Sequence, residues 1–315
     1  MRDTFARTLH KISQSDPKVF IVVSDISPAA SMEPFREQFP DHFINVGVAE
    51  QSMIGICAGL ALRGCTAFAY TIAVFSIYRP FEHIRDDLCY QNLPVTIVGV
   101  GGGVSYSVLG GTHLAQEDVA VMGALPNMSI IAPCDPLETE TATWACARHQ
   151  GPVYLRLGKA GEPNLTADAV EPFTFGTLRL LQEGSDVCII SYGPIMNMAF
   201  EVATKMRDEQ GRSVAIFSAH TLKPLDTQRI VEIMDKFETV VVIEEHSELG
   251  GLGAQIKQLA WEHEAKCRIH TFGLKDQFIP FYGSQIDLWR AHGLSVEKIS
   301  DSVMLGKRRV PTASE

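Results

Sequence analysis

Several things are scarce or missing in this sequence, and each absence closes off a class of function. No stretch reaches the ~20 apolar residues that a membrane span needs. The best run, Met53 to Leu62, stops at Arg63. The start, Met1-Arg2-Asp3, is polar and charged where a signal peptide would carry its apolar stretch, so the chain reads as soluble and cytoplasmic. Positive charge is short: 27 Lys and Arg against 37 Asp and Glu leave a net charge of −10. That argues against nucleic acid as a partner, because displacing phosphate counterions takes a basic surface. The seven cysteines are odd in number, form no C-x-x-C pair and mostly lie in apolar runs. Buried reduced thiols are therefore expected, not a disulfide framework or a structural zinc site. There is no G-x-x-x-x-G-K-[ST], no G-x-S-x-G and no H-E-x-x-H. Phosphate loops, serine-hydrolase elbows and zincin sites get no support, and no metal ligand set is expected on this chain.

What is present is a sizeable apolar fraction, 46% of 315 residues, with 20% charged. That suits two folded domains and rules out wholesale disorder. Short apolar runs alternate with helical patterns. Val19–Val23, His42–Val46, Thr66–Tyr70, Val95–Val100, Ser129–Pro133 and Val153–Leu157 read as strands. Residues 49–62 and 81–91 read as helices, the first packed on several sides. Fully apolar strands between helices indicate a doubly wound, mostly parallel sheet covered on both faces. Ligands bind such sheets beyond the carboxyl ends of the strands. Segments 24–28, 70–78 and 99–113 all follow strands and are placed to line one crevice.

The pattern weakens between Lys159 and Ser185, where Gly158, Gly161, Pro163 and Pro172 punctuate it. This divides the chain into a first domain over 1–165, a linker over 166–184 and a smaller α/β domain over 185–315. The tail after Lys307 reads as frayed. Two glycine clusters call for comment. Gly99-x-Gly101-Gly102-Gly103 follows a strand but opens no apolar helix, so a dinucleotide site is a poor fit. Gly250-Gly251-Leu252-Gly253 precedes a helix and fits a turn with close backbone approach.

A larger constellation then emerges. Asn45-Val46-Gly47-Val48-Ala49-Glu50-Gln51 resembles the glutamate motif of the transketolase superfamily of thiamine-diphosphate enzymes. Val74 to Pro80 resembles the aromatic segment that follows it. Gly111-Thr112-His113-Leu114-Ala115-Gln116-Glu117 is similar to that family's histidine loop. Ala124 to Met128 with Ala132-Pro133-Cys134-Asp135 resembles the next motif. Thr221 to Asp226, Glu244-Glu245-His246 and the Gly250 cluster resemble the C-terminal domain of transketolases and deoxyxylulose phosphate synthases. The motifs stand in family order across nearly the whole chain.

The resemblance implies roles. Glu50 would hold N1′ of the cofactor's aminopyrimidine and promote loss of the thiazolium proton, the protein tuning chemistry that the cofactor carries. Phe75 and Tyr78 would flank the pyrimidine ring. Ile72 replaces a third aromatic. Asp25 would lie near the cofactor, and His113 would face the substrate and move protons. Lys159 stands where the family has a phosphate-binding arginine; the charge is kept without the forked geometry. Gly101, Ala29 and Leu109 replace a histidine, a serine and an aspartate, so an ordinary pentose phosphate is not implied over a modified, dephosphorylated or nucleotide-linked sugar. The family's pyrophosphate domain, with its Gly-Asp-Gly, is missing. A partner subunit is therefore expected to supply it and to hold Mg²⁺, in a heterotetramer that transfers a two-carbon ketol unit from a ketose to an aldose. A deoxyxylulose-phosphate-synthase-like ligase, a 2-oxo-acid dehydrogenase beta chain and a non-catalytic partner protein are the alternatives. Lys223–Asp226 and His113 favour transketolase over the dehydrogenase.

Overall fold

The computed structural model of the chain describes residues 1–26 and 30–304. Residues 27–29, which include Ala29 and part of the first crevice segment, and the tail after Lys307 lie outside the described residues.

Two sheets organise those residues. The first has seven strands: β1 (Val19–Val23), β2 (Phe43–Asn45), β3 (Thr66–Ile72), β4 (Val95–Val100), β5 (Ser129–Ile131), β6 (Val153–Leu157) and, from later in the chain, β10 (Thr221–Lys223). They lie in the order β10-β5-β6-β4-β3-β1-β2. All pairings are parallel except β10 with β5. The central strands β4 and β6 are buried along their whole length, which is why they read as unbroken apolar runs. The second sheet comprises β7 (Arg179–Gln182), β8 (Val187–Ser191), β9 (Val214–Ser218), β11 (Thr239–Ser247) and β12 (Arg268–Leu274). Its order is β12-β11-β8-β9-β7, and only the edge strand β7 is antiparallel.

Most expected elements are present, and four differences are informative. The helix Glu50–Leu62 buries one stripe, Glu50, Met53, Ile54, Cys57, Ala58 and Ala61, at helical spacing. Its other face, with Gly55, Ile56 and Gly59, is exposed, so within this chain it is packed on one side and not on several. The expected helix over 81–91 is a turn at Phe81–His83 followed by a wider, π-type coil over Ile84–Tyr90. β7 falls inside 166–184, the stretch read from sequence as a linker. β10 follows β9 in the chain yet adds to the first sheet, so the second half returns a strand to the first.

A buried charge cluster fastens the two sheets. Arg156 on β6 is almost wholly enclosed; its Nε donates to Asp118 at 2.7 Å and its Nη2 to the Glu245 carbonyl on β11 at 2.9 Å. Tyr154 donates to the same Asp118 oxygen at 2.8 Å. The Gly99–Gly103 run belongs to this packing. A side chain at Gly99, Gly102 or Gly103 would collide with Tyr154, Arg156 or Glu245 respectively.

Candidate active site

The order β2-β1-β3 places neighbours on both sides of β1, so the chain changes direction between β1 and β3, where open sheets form their crevice. The carboxyl ends of β1, β2, β3, β4 and β6 lead into Asp25, Glu50, Phe75, His113 and Lys159 in turn.

Short hydrogen bonds build the turn that delivers Glu50. Asn45 Oδ1 accepts from Gly47 N at 2.9 Å and from Asp25 N at 3.4 Å. Ser24 Oγ donates to the Gly47 carbonyl at 2.8 Å and accepts from Ala49 N at 3.3 Å. Gly47 sits at φ +70°, a conformation that favours glycine. The helix then starts at Glu50, whose side chain is 5% exposed. Among the described residues its one side-chain hydrogen bond is from Arg79 Nη1, at 2.8 Å. The Arg79 guanidinium lies 4.2 Å from the centroid of the Phe75 ring, and Phe75 meets the His113 imidazole edge-on at 5.1 Å. Glu50, Arg79, Phe75 and His113 therefore form one contact chain.

Tyr78 is placed differently. Its hydroxyl donates to Glu117 Oε2 at 2.9 Å, and its side chain is partly exposed. Burial, with the Asp118 and Glu117 charges, holds its phenol well above the ordinary range. Asp25 is exposed, with φ +37°, and joins the cluster through its backbone N–H and not its carboxylate. His113 Nδ1 lies 2.9 Å from Thr112 Oγ1. Lys159 Nζ sits 4.9 Å from the Tyr106 ring centroid, and a side chain at Gly101 would overlap that same ring. Gly101, the residue standing in the family's histidine position, is thus what admits Tyr106.

The second domain backs the histidine loop. Glu245 Oε1 accepts from Val104 N and Gln285 Nε2, at 2.9 and 2.8 Å. The ring of Tyr282 rests where a Gly110 side chain would be. His246 Nε2 accepts from Ala120 N at 3.2 Å while its Nδ1 contacts the Ser247 carbonyl, which fixes the Nδ1–H tautomer.

Arg79, Glu117, Tyr106 and Arg2 went unassigned from sequence. Arg79 and Glu117 lie within recognised segments, but their pairings join residues 29 and 39 positions apart. Arg2 belongs to no motif. Its Nε and the Tyr70 hydroxyl are buried with no hydrogen-bond partner among the described residues, and its charge acts on Tyr70 and Tyr106. No group of three or more His, Cys, Asp and Glu among the described residues is placed to hold a metal. No helix among them is long and apolar enough to cross a membrane.

Comparison with known proteins agrees with this arrangement. The family described as transketolase, pyrimidine binding domain, matches residues 1–162, and that described as transketolase, C-terminal domain, matches 176–299. One of the two apulose-4-phosphate transketolase chains of Phocaeicola vulgatus is 31% identical over 303 residues, covering 96% of each protein. A 6-deoxy-6-sulfo-D-fructose transketolase chain, SqwH, of a Clostridium species is 32% identical over 278 residues, 88% of this chain and 85% of that one. A solved split-gene transketolase, an inactive β4 tetramer, superposes with a TM-score of 0.86 at 33% identity, covering 96% of this chain and 97% of that one. With both domain families matched in order around the Glu50 turn, the chain belongs to the transketolase family.

Proposed function

We propose that this chain is the pyrimidine-binding subunit of a two-chain, thiamine-diphosphate-dependent transketolase. It acts with a partner that supplies the pyrophosphate domain and holds Mg²⁺, in a heterotetramer that moves a two-carbon ketol unit from a ketose to an aldose. The single observation that carries this reading is the environment of Glu50. A carboxylate this buried ordinarily has several partners. Glu50 has one, a half-exposed arginine lying on an aromatic face. An acid beside a flat ring surface suits a heteroaromatic base that accepts or shares a proton at one edge.

Thiamine diphosphate supplies, when bound, the nucleophilic carbon that the reaction needs. In this reading Glu50 holds a proton at N1′ of the pyrimidine. Phe75 gives that ring a face to lie on, and the Tyr78 ring adds to the wall. Asp25 keeps a carboxylate at the end of β1 on the same side. His113, in edge contact with Phe75, is positioned to donate or take a proton at a substrate oxygen. Lys159 and Arg2, gathered around Tyr106 and Tyr70, fit an anionic end on the substrate. Two of the relatives carry a phosphate or sulfo group in the names of their substrates, which supports a sugar with an anionic terminus.

Calorimetric titration of thiamine diphosphate and Mg²⁺ tests this, with the chain alone and with a pyrophosphate-domain partner. The expected result is binding in the mixture only, and loss of ketol transfer in Glu50→Ala. No binding in the mixture, or full turnover in Glu50→Ala, overturns it.

A further inference from the structure

We propose that Arg79 is a placeholder in the unloaded chain, holding Glu50 and covering Phe75 until the cofactor's ring takes both partners and the guanidinium swings out. This rests on the reading of Glu50 and Phe75 as cofactor contacts. The geometry supports it in three ways. Arg79 Nη1 donates to Glu50 Oε1 at 2.8 Å, and the same guanidinium lies 4.2 Å from the Phe75 centroid. A planar cation that bonds a carboxylate through its edge while resting on an aromatic face uses the two contacts an aminopyrimidine would use there. One carboxylate edge and one ring face cannot serve both at once.

Second, the pairing answers a need of the empty site. Glu50 is 5% exposed, and a carboxylate that deep is costly without a partner. Arg79 neutralises it while the cofactor is away, and that function lapses once N1′ bonds to the acid. Third, the exit is open. The Arg79 side chain is 47% exposed and sits just past the short helix Ala73–Ile77, so it can rotate into solvent without disturbing the core. Because Phe75 touches both Arg79 and His113, the exchange also resets the surface beside the histidine.

The test follows cofactor binding and not turnover. Thiamine diphosphate with Mg²⁺ is mixed rapidly with the two-chain assembly carrying wild-type, Arg79→Met or Arg79→Lys subunits, and the association rate is read. Loss of one half-exposed ion pair and one cation–π contact should raise that rate about three- to tenfold in Arg79→Met. Arg79→Lys, which keeps the charge without the flat fork, should fall between. In the unloaded chain Arg79→Met should melt lower than wild type, and adding Glu50→Gln should recover the loss. An association rate that is unchanged or lower in Arg79→Met overturns the placeholder, whatever the melting shows. Should that variant fail to fold, the rate in Arg79→Lys decides in the same sense. If the wild-type assembly binds no thiamine diphosphate, the cofactor reading itself falls and the placeholder with it. If wild type binds and the variants do not gain, only the placeholder falls.

Discussion

Glu50 and Glu244 are both buried carboxylates at a helix start, one beside each sheet, and they are held in opposite ways. Glu244 on β11 accepts from Leu252 N, Gly253 N and the Tyr192 hydroxyl, at 2.8, 2.8 and 3.0 Å. Its carboxylate fills the opening of the helix Leu252–Glu262, and a side chain at Gly251 would collide with it. Burial pushes the Glu244 carboxyl up, against the pull of those donors. Both of its oxygens are spoken for by the fold, so the glycine cluster there serves a side chain and not a phosphate. Glu50 has one partner, and that partner stands half in water. The difference teaches how to tell a structural buried acid from one kept for a ligand: the first is saturated by backbone donors, the second by a removable side chain.

Substituting each glutamate by glutamine is the strongest way to break this comparison. Glu50→Gln should cut ketol transfer by about 10²- to 10⁴-fold, while leaving the melting temperature near wild type, since it removes a poorly tied buried charge. Glu244→Gln should do the reverse, lowering stability by about 2 kcal/mol as two charge-assisted backbone bonds weaken. Equal effects of the two on thermal unfolding would erase the distinction. Next comes Arg156, which belongs wholly to the structural class. Arg156→Met should cost about 3–5 kcal/mol by chemical denaturation, because Asp118 is left buried without its counter-charge. Its residual turnover should track the folded fraction; a stable but inactive Arg156→Met would place this cluster in the chemistry instead.

His220 sharpens the contrast through pH. Its ring is buried and stacked 3.9 Å from Phe173, and its Nε2 has no partner among the described residues. Burial, then the Arg179 charge, lowers its pKa to about 3. The unfolded imidazole titrates near 6.5, so between those values the unfolded chain binds a proton that the folded one refuses. The contribution is complete above 6.5 and is lost as pH falls toward 3, at about 1.4 kcal/mol per unit. His220→Phe keeps the stack and removes the proton. Between pH 7 and pH 5 the variant should therefore lose about 2 kcal/mol less than wild type. Parallel acid limbs would show that the ring is not enclosed as drawn.

Much of the fold was legible because parallel strands buried on both faces leave unbroken apolar runs; β1, β4 and β6 are such runs. β10 was not, since three residues carry no period and its partner β5 lies about 90 positions earlier. β7 is a half-buried edge, and its mixed pattern reads as loop. The motif residues Glu50, Phe75 and His113 are brought together by the strand ends that precede them. Asp25 and Lys159 reach the same rim, but their partners, a backbone N–H contact and an aromatic face, have no signature in sequence. Arg79 was illegible for a related reason. Its long side chain finds Glu50 only after β2 and β3 have folded beside β1.

The smallest expected effect concerns Tyr78, where ring and hydroxyl are separable. The hydroxyl donates to Glu117, and the pKa stays above its ordinary range, so it remains a neutral donor at working pH. That bond lies at a partly exposed position, and such bonds contribute about 0.5–1 kcal/mol. Tyr78→Phe should therefore lower stability by no more than about 1 kcal/mol and leave thiamine diphosphate affinity within about twofold in the assembly. Tyr78→Ala removes the ring as well and should weaken affinity by about three- to tenfold, the worth of one aromatic contact. Calorimetry on the two variants separates the cases. If Tyr78→Phe already loses what Tyr78→Ala loses, the Glu117 pairing and not the ring face is what the cofactor needs, and Tyr78 moves from the ligand wall to the scaffold that holds Glu117.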